Sequence, residues 1–160
     1  MALTKIADGG MPAGAVLQVK QTSLNTVVSA SLSSESTFVD ISGMSVSITP
    51  ISSSSKILVS YSLNLGHSVS DQNNSVRLMR DTTAIVGSGG STANVTNFSR
   101  NTTTQINEVS TQYLDLPSTT SAVTYKVQWA SGTGTFYLNR RGGNAQFVCV
   151  STITVMEIAG

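Results

Sequence analysis

In the stretch "KILVSYSLNLGH" every second residue is apolar: Ile57, Val59, Tyr61, Leu63 and Leu65. A period of two places these side chains on one face of a β-strand, whereas on a helix they would point all round the axis. The same alternation recurs along the chain. Met44, Val46 and Ile48 alternate with Ser45, Ser47 and Thr49; Tyr125, Val127 and Trp129 share a face, as do Phe136 and Leu138. Ser and Thr make up more than a quarter of the residues, so polarity is carried by hydroxyls. Such residues suit pleated strands and compete with the backbone in helices.

The pattern predicts eight to ten short strands and no helix. A first strand is expected near residues 15–21, and separate strands at "STFVDI" and "MSVSITP", the second ended by Pro50, which has no N–H for a ladder. Ser52 to Ser55 reads as a loop, residues 80–83 as a hairpin tip, and residues 91–112 as a strand or irregular loop. "AQFVCVSTITVMEI" reads as one closing strand. Turn signals at this spacing predict an all-β antiparallel sandwich or barrel. A chain of 160 residues fits one domain, with a short N-terminal arm over 1–14 and the sandwich over 15–160.

Charged residues are 11% of the chain and the formal net charge is +1. With scattered Lys and Arg, no basic stripe suggests a nucleic-acid partner. No stretch has the apolar core of a signal peptide or the length of a membrane span, so neither export by a cleaved leader nor membrane insertion is expected. The four Asn-x-Ser/Thr sequons, at Asn73, Asn94, Asn97 and Asn101, read as a product of composition.

Candidates for chemistry are few. The single histidine, His67, follows Leu65-Gly66 and reads as a loop residue where a strand meets water. Zinc sites usually draw on several His or Cys ligands, and the chain has one of each. Cys149 lies in a strand-like run and reads as a small buried hydrophobe. "VGSGGS" lacks the Gly-Lys-Ser/Thr of a phosphate loop. The acids Asp40, Asp71, Asp81, Glu108, Asp115 and Glu157 are each isolated, although a pair in space could hydrolyse glycosides. Asp115 reads as a turn acid bonded to nearby backbone. Glu157 shares the parity of Ile153 and Val155, so it is expected to point partly inward, neutralised by Arg77, Arg80 or Arg140. No enzyme, cofactor or metal is expected. Only four lysines are available to guard sheet edges, which suggests that identical subunits cover edges or faces.

Six stretches in order, "GAVLQV", "SVSITP", "SSSKILVSYSLNLG", "LDLPSTTSAVTYKVQW", "FYLNRRGG" and "STITVMEIAG", resemble a family of bacteriophage virion proteins found in marine phages and cyanophages. The resemblance covers nearly the whole chain. It implies a jelly-roll sandwich like complement-type (C1q) and tumour-necrosis-factor-type heads, assembled as a homotrimer. It also implies attachment to other virion proteins of capsid or tail through the N-terminal arm, where Leu3, Ile6, Met11 and Pro12 are the apolar and stiffening residues. Loops at the far end would touch the host surface, and the candidates there are His67, Asp71, Asn73, Tyr137, Arg140 and Arg141. Only about fourteen residues precede the first strand, where many fibre proteins of this kind carry long shafts, so a short head fibre, a capsid decoration protein or a tail-tip adaptor stands level with a free-standing tail fibre. The alternative is a carbohydrate-binding module, with a host-surface glycan stacked on Tyr137 beside Arg140-Arg141 or held by residues 67–74.

Overall fold

The computed structural model describes residues 11–86, 96–99 and 102–160. Eleven strands occur among them: β1 (Val16–Leu24), β2 (Val28–Ser31), β3 (Ser34–Ile48), β4 (Lys56–His67), β5 (Asn73–Arg80), β6 (Thr83–Val86), β7 (Thr96–Ser99), β8 (Asn107–Asp115), β9 (Val123–Ser131), β10 (Thr135–Leu138) and β11 (Ser151–Ile158). Leu3 and Ile6 of the predicted arm lie outside the described residues.

The strands form two antiparallel sheets. One runs β1-β11-β4-β10-β2, with β8 on the free side of β4; the other runs β3-β9-β5-β6, with β7 also on β5. Consecutive long strands alternate between sheets, and both orders are those of a jelly roll. The all-β sandwich is as the alternation predicted.

The core lies between the sheets. Ile57, Val59, Tyr61, Leu63 and Leu65 of β4 are buried, and they face Tyr125, Val127 and Trp129 of β9 with Met44, Val46 and Ile48 of β3. Trp129 of one sheet stacks on Phe136 of the other, with ring centroids 4.9 Å apart. Each such fully buried large side chain contributes about 1.5–3 kcal/mol relative to exposure.

Three boundaries differ from the sequence expectation. "STFVDI" and "MSVSITP" are one strand, β3, whose pairing with β9 shifts twice and whose Gly43 has φ 79°. Bulges absorb the break in alternation without ending the strand. The ambiguous 91–112 region contributes β7 and the start of β8, which pairs β4 from Leu65↔Asn107 to Ile57↔Asp115. The closing strand begins only at Ser151, and residues 145–150 run as irregular chain.

The sandwich is closed along both long sides. At one, Thr22 Oγ donates to Ser45 O (2.7 Å) and Gln18 Nε2 to Thr49 O (2.8 Å), joining β1 to β3 and its end. At the other, Arg80 and Tyr125 of one sheet meet Asp115 of β8.

Candidate functional site

The two ends of the sandwich are built differently. At the end where β4 starts and β11 finishes, Gly14 and Ala15, where the arm meets β1, run beside Ala159. Gly14 N–H donates to Ala159 O (2.8 Å), and Ala159 N–H returns to Ala15 O (2.8 Å). Pro12 is exposed; Met11 is half-buried and lines a groove with Leu17, Ile51, Ser54 and Ala159.

Glu157 lies fully buried behind this groove, and no arginine among the described residues forms an ion pair with it. Ile51 N–H donates to its Oε1 (2.7 Å) and Gln18 Nε2 to its Oε2 (2.6 Å). Burial pushes its pKa up, but these donors outweigh that and hold the carboxyl below its usual range. The arginines named for it are engaged elsewhere. Arg80 Nη1 reaches both oxygens of Asp115 (3.0 and 2.9 Å), Arg77 Nε donates to Gln128 Oε1 (2.7 Å), and Arg140 serves its own loop. Asp115 is therefore a long-range clasp and not a local turn acid. It also accepts the Tyr125 hydroxyl at 2.7 Å, and burial together with that acceptor pushes the Tyr125 pKa up.

The predicted loop residues gather at the opposite end, where β4 finishes, β5 and β10 start, and residues 140–142 fold back onto β4. Asp71 is exposed with φ 56°, and Asn73 is exposed with its Nδ2 donating to Glu35 Oε1 (3.2 Å). Tyr137 is half-buried beneath the Arg140 guanidinium, 4.2 Å from its ring centre. Arg140 Nε also donates to Arg141 O, while Arg141 donates to Asn144 Oδ1 and Gln146 Oε1, each at 2.7 Å. Both arginines thus brace residues 137–147.

His67 departs from expectation. It is the last residue of β4 and has no exposed surface. Val69 N–H donates to Nδ1 (3.1 Å), Nε2 lies 3.0 Å from Ser131 Oγ, and the ring meets Phe136 edge-on. As a surface-binding residue it is corrected: it is a buried tie between β4 and β9. Residues 140–142 press directly on β4 beside it. A Cβ on Gly66 would fall 2.0 Å from Arg140 O, and one on Gly142 1.7 Å from His67 O.

Sequence reasoning missed two groups here. Asn139, buried with φ 65°, joins β10, β11 and the turn after β1; its signal was an asparagine opening the turn "NRRGG". Phe147, Val148 and Val150 were read as strand, yet each is more than half exposed. Cys149 among them is half-buried, its N–H donating to Asn139 O (3.0 Å).

The remaining acids are dispersed. Asp40 binds Lys126 Nζ (2.8 Å) and Gln128 Nε2 (2.6 Å); Asp81 accepts Thr124 N–H, and Glu108 accepts Ser62 Oγ. Among the described residues, no three His, Cys, Asp or Glu side chains cluster as metal ligands.

No family model matches the chain, and no curated protein matches its sequence. Solved structures similar to it include the VP2 subviral particle of infectious bursal disease virus, at 14% identity and TM-score 0.45, covering 89% of this chain and 38% of that one. The viral particle of the same virus gives 12% identity and TM-score 0.49 over 99% of this chain and 40% of that one. The chain thus spans well under half the length of either.

Proposed function

We propose that this chain is a non-enzymatic structural protein of a bacteriophage virion. It acts as a homotrimeric short fibre or decoration head held on capsid or tail by residues 1–14. The observation that carries the reading is the polarity of the sandwich: the arm enters beside Met11 and Pro12 at one end, and the loops after β4 and β10 lie at the other. A head anchored by its arm presents those loops outward. The ordered resemblance of the six sequence stretches to phage virion proteins supports the same reading. The chain would be made in the host cytoplasm and assembled on the particle. Deleting residues 1–13 tests it. The truncated chain is expected to fold and oligomerise but to be lost from particles; retained incorporation would overturn the anchor.

A second reading, a glycan-binding module at the loop end, is favoured by Phe147. Its ring is exposed and rests on the Arg141 guanidinium 4.9 Å from its centre, beside the amides of Asn144 and Gln146. Sugars stack on such aromatic faces while amides read their hydroxyls. A glycan array that lights up with the intact chain and goes dark with Phe147→Ala would establish it. A blank array with the intact chain would remove it.

A further inference from the structure

We infer that the outer face of the sheet containing β1, β11, β4 and β8 is covered by further copies of this chain, which names the self-contact surface of the homotrimer proposed above and rests on that reading. Of the rows that the registers define across the four strands, three face outward. Leu114, Leu58, Met156 and Val19 form one; Gln112, Ser60, Thr154 and Gln21 the next; Ser110, Ser62, Thr152 and Ser23 the third. These are the positions that alternate with the buried core residues, so they face away from the sandwich. None of the twelve carries a charge.

The apolar row is not shielded by the described residues: Val19 is 53% exposed and Leu114 47%. Exposed Val16, the first residue of β1, and exposed Leu116, just after β8, extend it at the arm end. At the other end, Asn64 Nδ2, on the same outer face, donates to Val150 O (2.8 Å), joining the exposed Phe147, Val148 and Val150 to this surface. A soluble surface facing only water would be expected to interleave ions of both signs here.

The opposite face shows what that looks like. Asp40, Gln128 and Arg77 sit side by side across β3, β9 and β5, with Lys126 on Asp40. Covering that sheet would desolvate an ion network, which is unfavourable unless every charge keeps its partners.

Charge complementarity selects a second copy as the occupant. Around a rotation axis equivalent residues approach one another, so a charge near the axis meets its like. A face whose central rows are neutral, with Lys56 and Glu108 only at its margins, meets itself without that repulsion. The flat sheet face, about 23 Å along β11 and about 14 Å across four strands, covers roughly 320 Å². The Phe147 to Val150 shelf enlarges it toward the ~800 Å² that one partner gives a standard interface. The apolar row would form a dry contact and the hydroxyl rows a hydrogen-bonded, wetter one.

The test is the solution mass, by light scattering, of the intact chain, of a Val19→Glu/Leu114→Glu double variant and of Ser47→Glu on the opposite sheet. Emission of the single, buried Trp129 reports folding in each. The double variant is expected to fall to one third of the parent mass with unchanged emission, while Ser47→Glu keeps the parent mass. Gln21→Lys/Gln112→Lys, at exposed amides of the second row, serves as an independent pair with the same expectation. A parent trimer that both pairs leave intact would overturn the face assignment while the homotrimer stands. A monomeric parent would overturn the homotrimer and this inference with it.

Discussion

Ser151 Oγ donates to Asn139 Oδ1 at 2.6 Å, with both residues fully buried, at the point where the ladder of β4 passes from β11 to β10. β11 pairs β4 only as far as Thr152↔Ser62, and β10 takes over at Leu138↔Leu65. The gap would leave backbone groups of β4 unpaired in the interior. Instead Asn64 N–H donates to Ser151 Oγ (2.9 Å), and Asn139 N–H to Asn64 O (2.7 Å). Asn139 Nδ2 then reaches Leu24 O and Thr26 O, at 2.8 and 2.9 Å.

Asn139→Ala should therefore cost about 3 kcal/mol, because it strips the acceptor from buried Ser151 and the donor from the Leu24 and Thr26 carbonyls, and forces Ala to φ > 0. Asn139→Gly relieves the backbone but not the lost bonds, and should cost less. Ser151→Ala should cost about 1–2 kcal/mol, and the double variant less than the sum of its singles, since the two share one network. Urea denaturation followed by Trp129 fluorescence measures all four.

Arg80→Ala should destabilise by about 3 kcal/mol, since it leaves the buried Asp115 carboxylate without its cation. Arg80→Ala combined with Asp115→Asn should recover part of that loss, because no buried charge is then stranded. Equilibrium denaturation of the two variants checks the order.

Acid should weaken the fold through Glu157. Its pKa in the folded chain is lowered, so the unfolded state binds the proton more readily. The stability it contributes is fully present above the unfolded value, near 4.3, and is lost as pH falls through the folded value. Asp40 shifts in the same direction but is half exposed and contributes less. Between pH 5 and pH 3 the urea midpoint of the parent should fall more steeply than that of Glu157→Gln, which lacks the titrating group.

Gly142→Ala should disrupt the loop end, since the new methyl would overlap His67 O, whereas Gly143→Ala meets nothing closer than 3.6 Å and should be nearly neutral. Thermal denaturation of the pair separates a packing requirement at one glycine from mere tolerance at its neighbour.

The core was the most legible part of the sequence, because burial and alternation coincide along β4 from Lys56 to Leu65 and along β9 from Val123 to Val127. His67 was misread for a local reason: Gly66 suggested a turn, yet His67 continues the parity of Ile57 through Leu65 and stays inward. The glycine is there because Arg140 O lies against it, a contact 74 residues away that no local pattern contains. Glu157 was read correctly as inward but assigned the wrong partner, since backbone and amide donors from a loop and β1 leave no charge signature. Residues 147–150 alternate like strand, but Cys149 N–H bonds to Asn139 O and the ladder begins only at Ser151. The loop end was legible as a set of residues and not as a surface, because the folding of residues 139–147 upon themselves depends on the stacks of Arg140 and Arg141.

The most direct test of the proposed assembly is the solution mass of the intact chain by light scattering coupled to size exclusion. A single species near three times 16.7 kDa is the predicted result. A species of 16.7 kDa at all concentrations would contradict it.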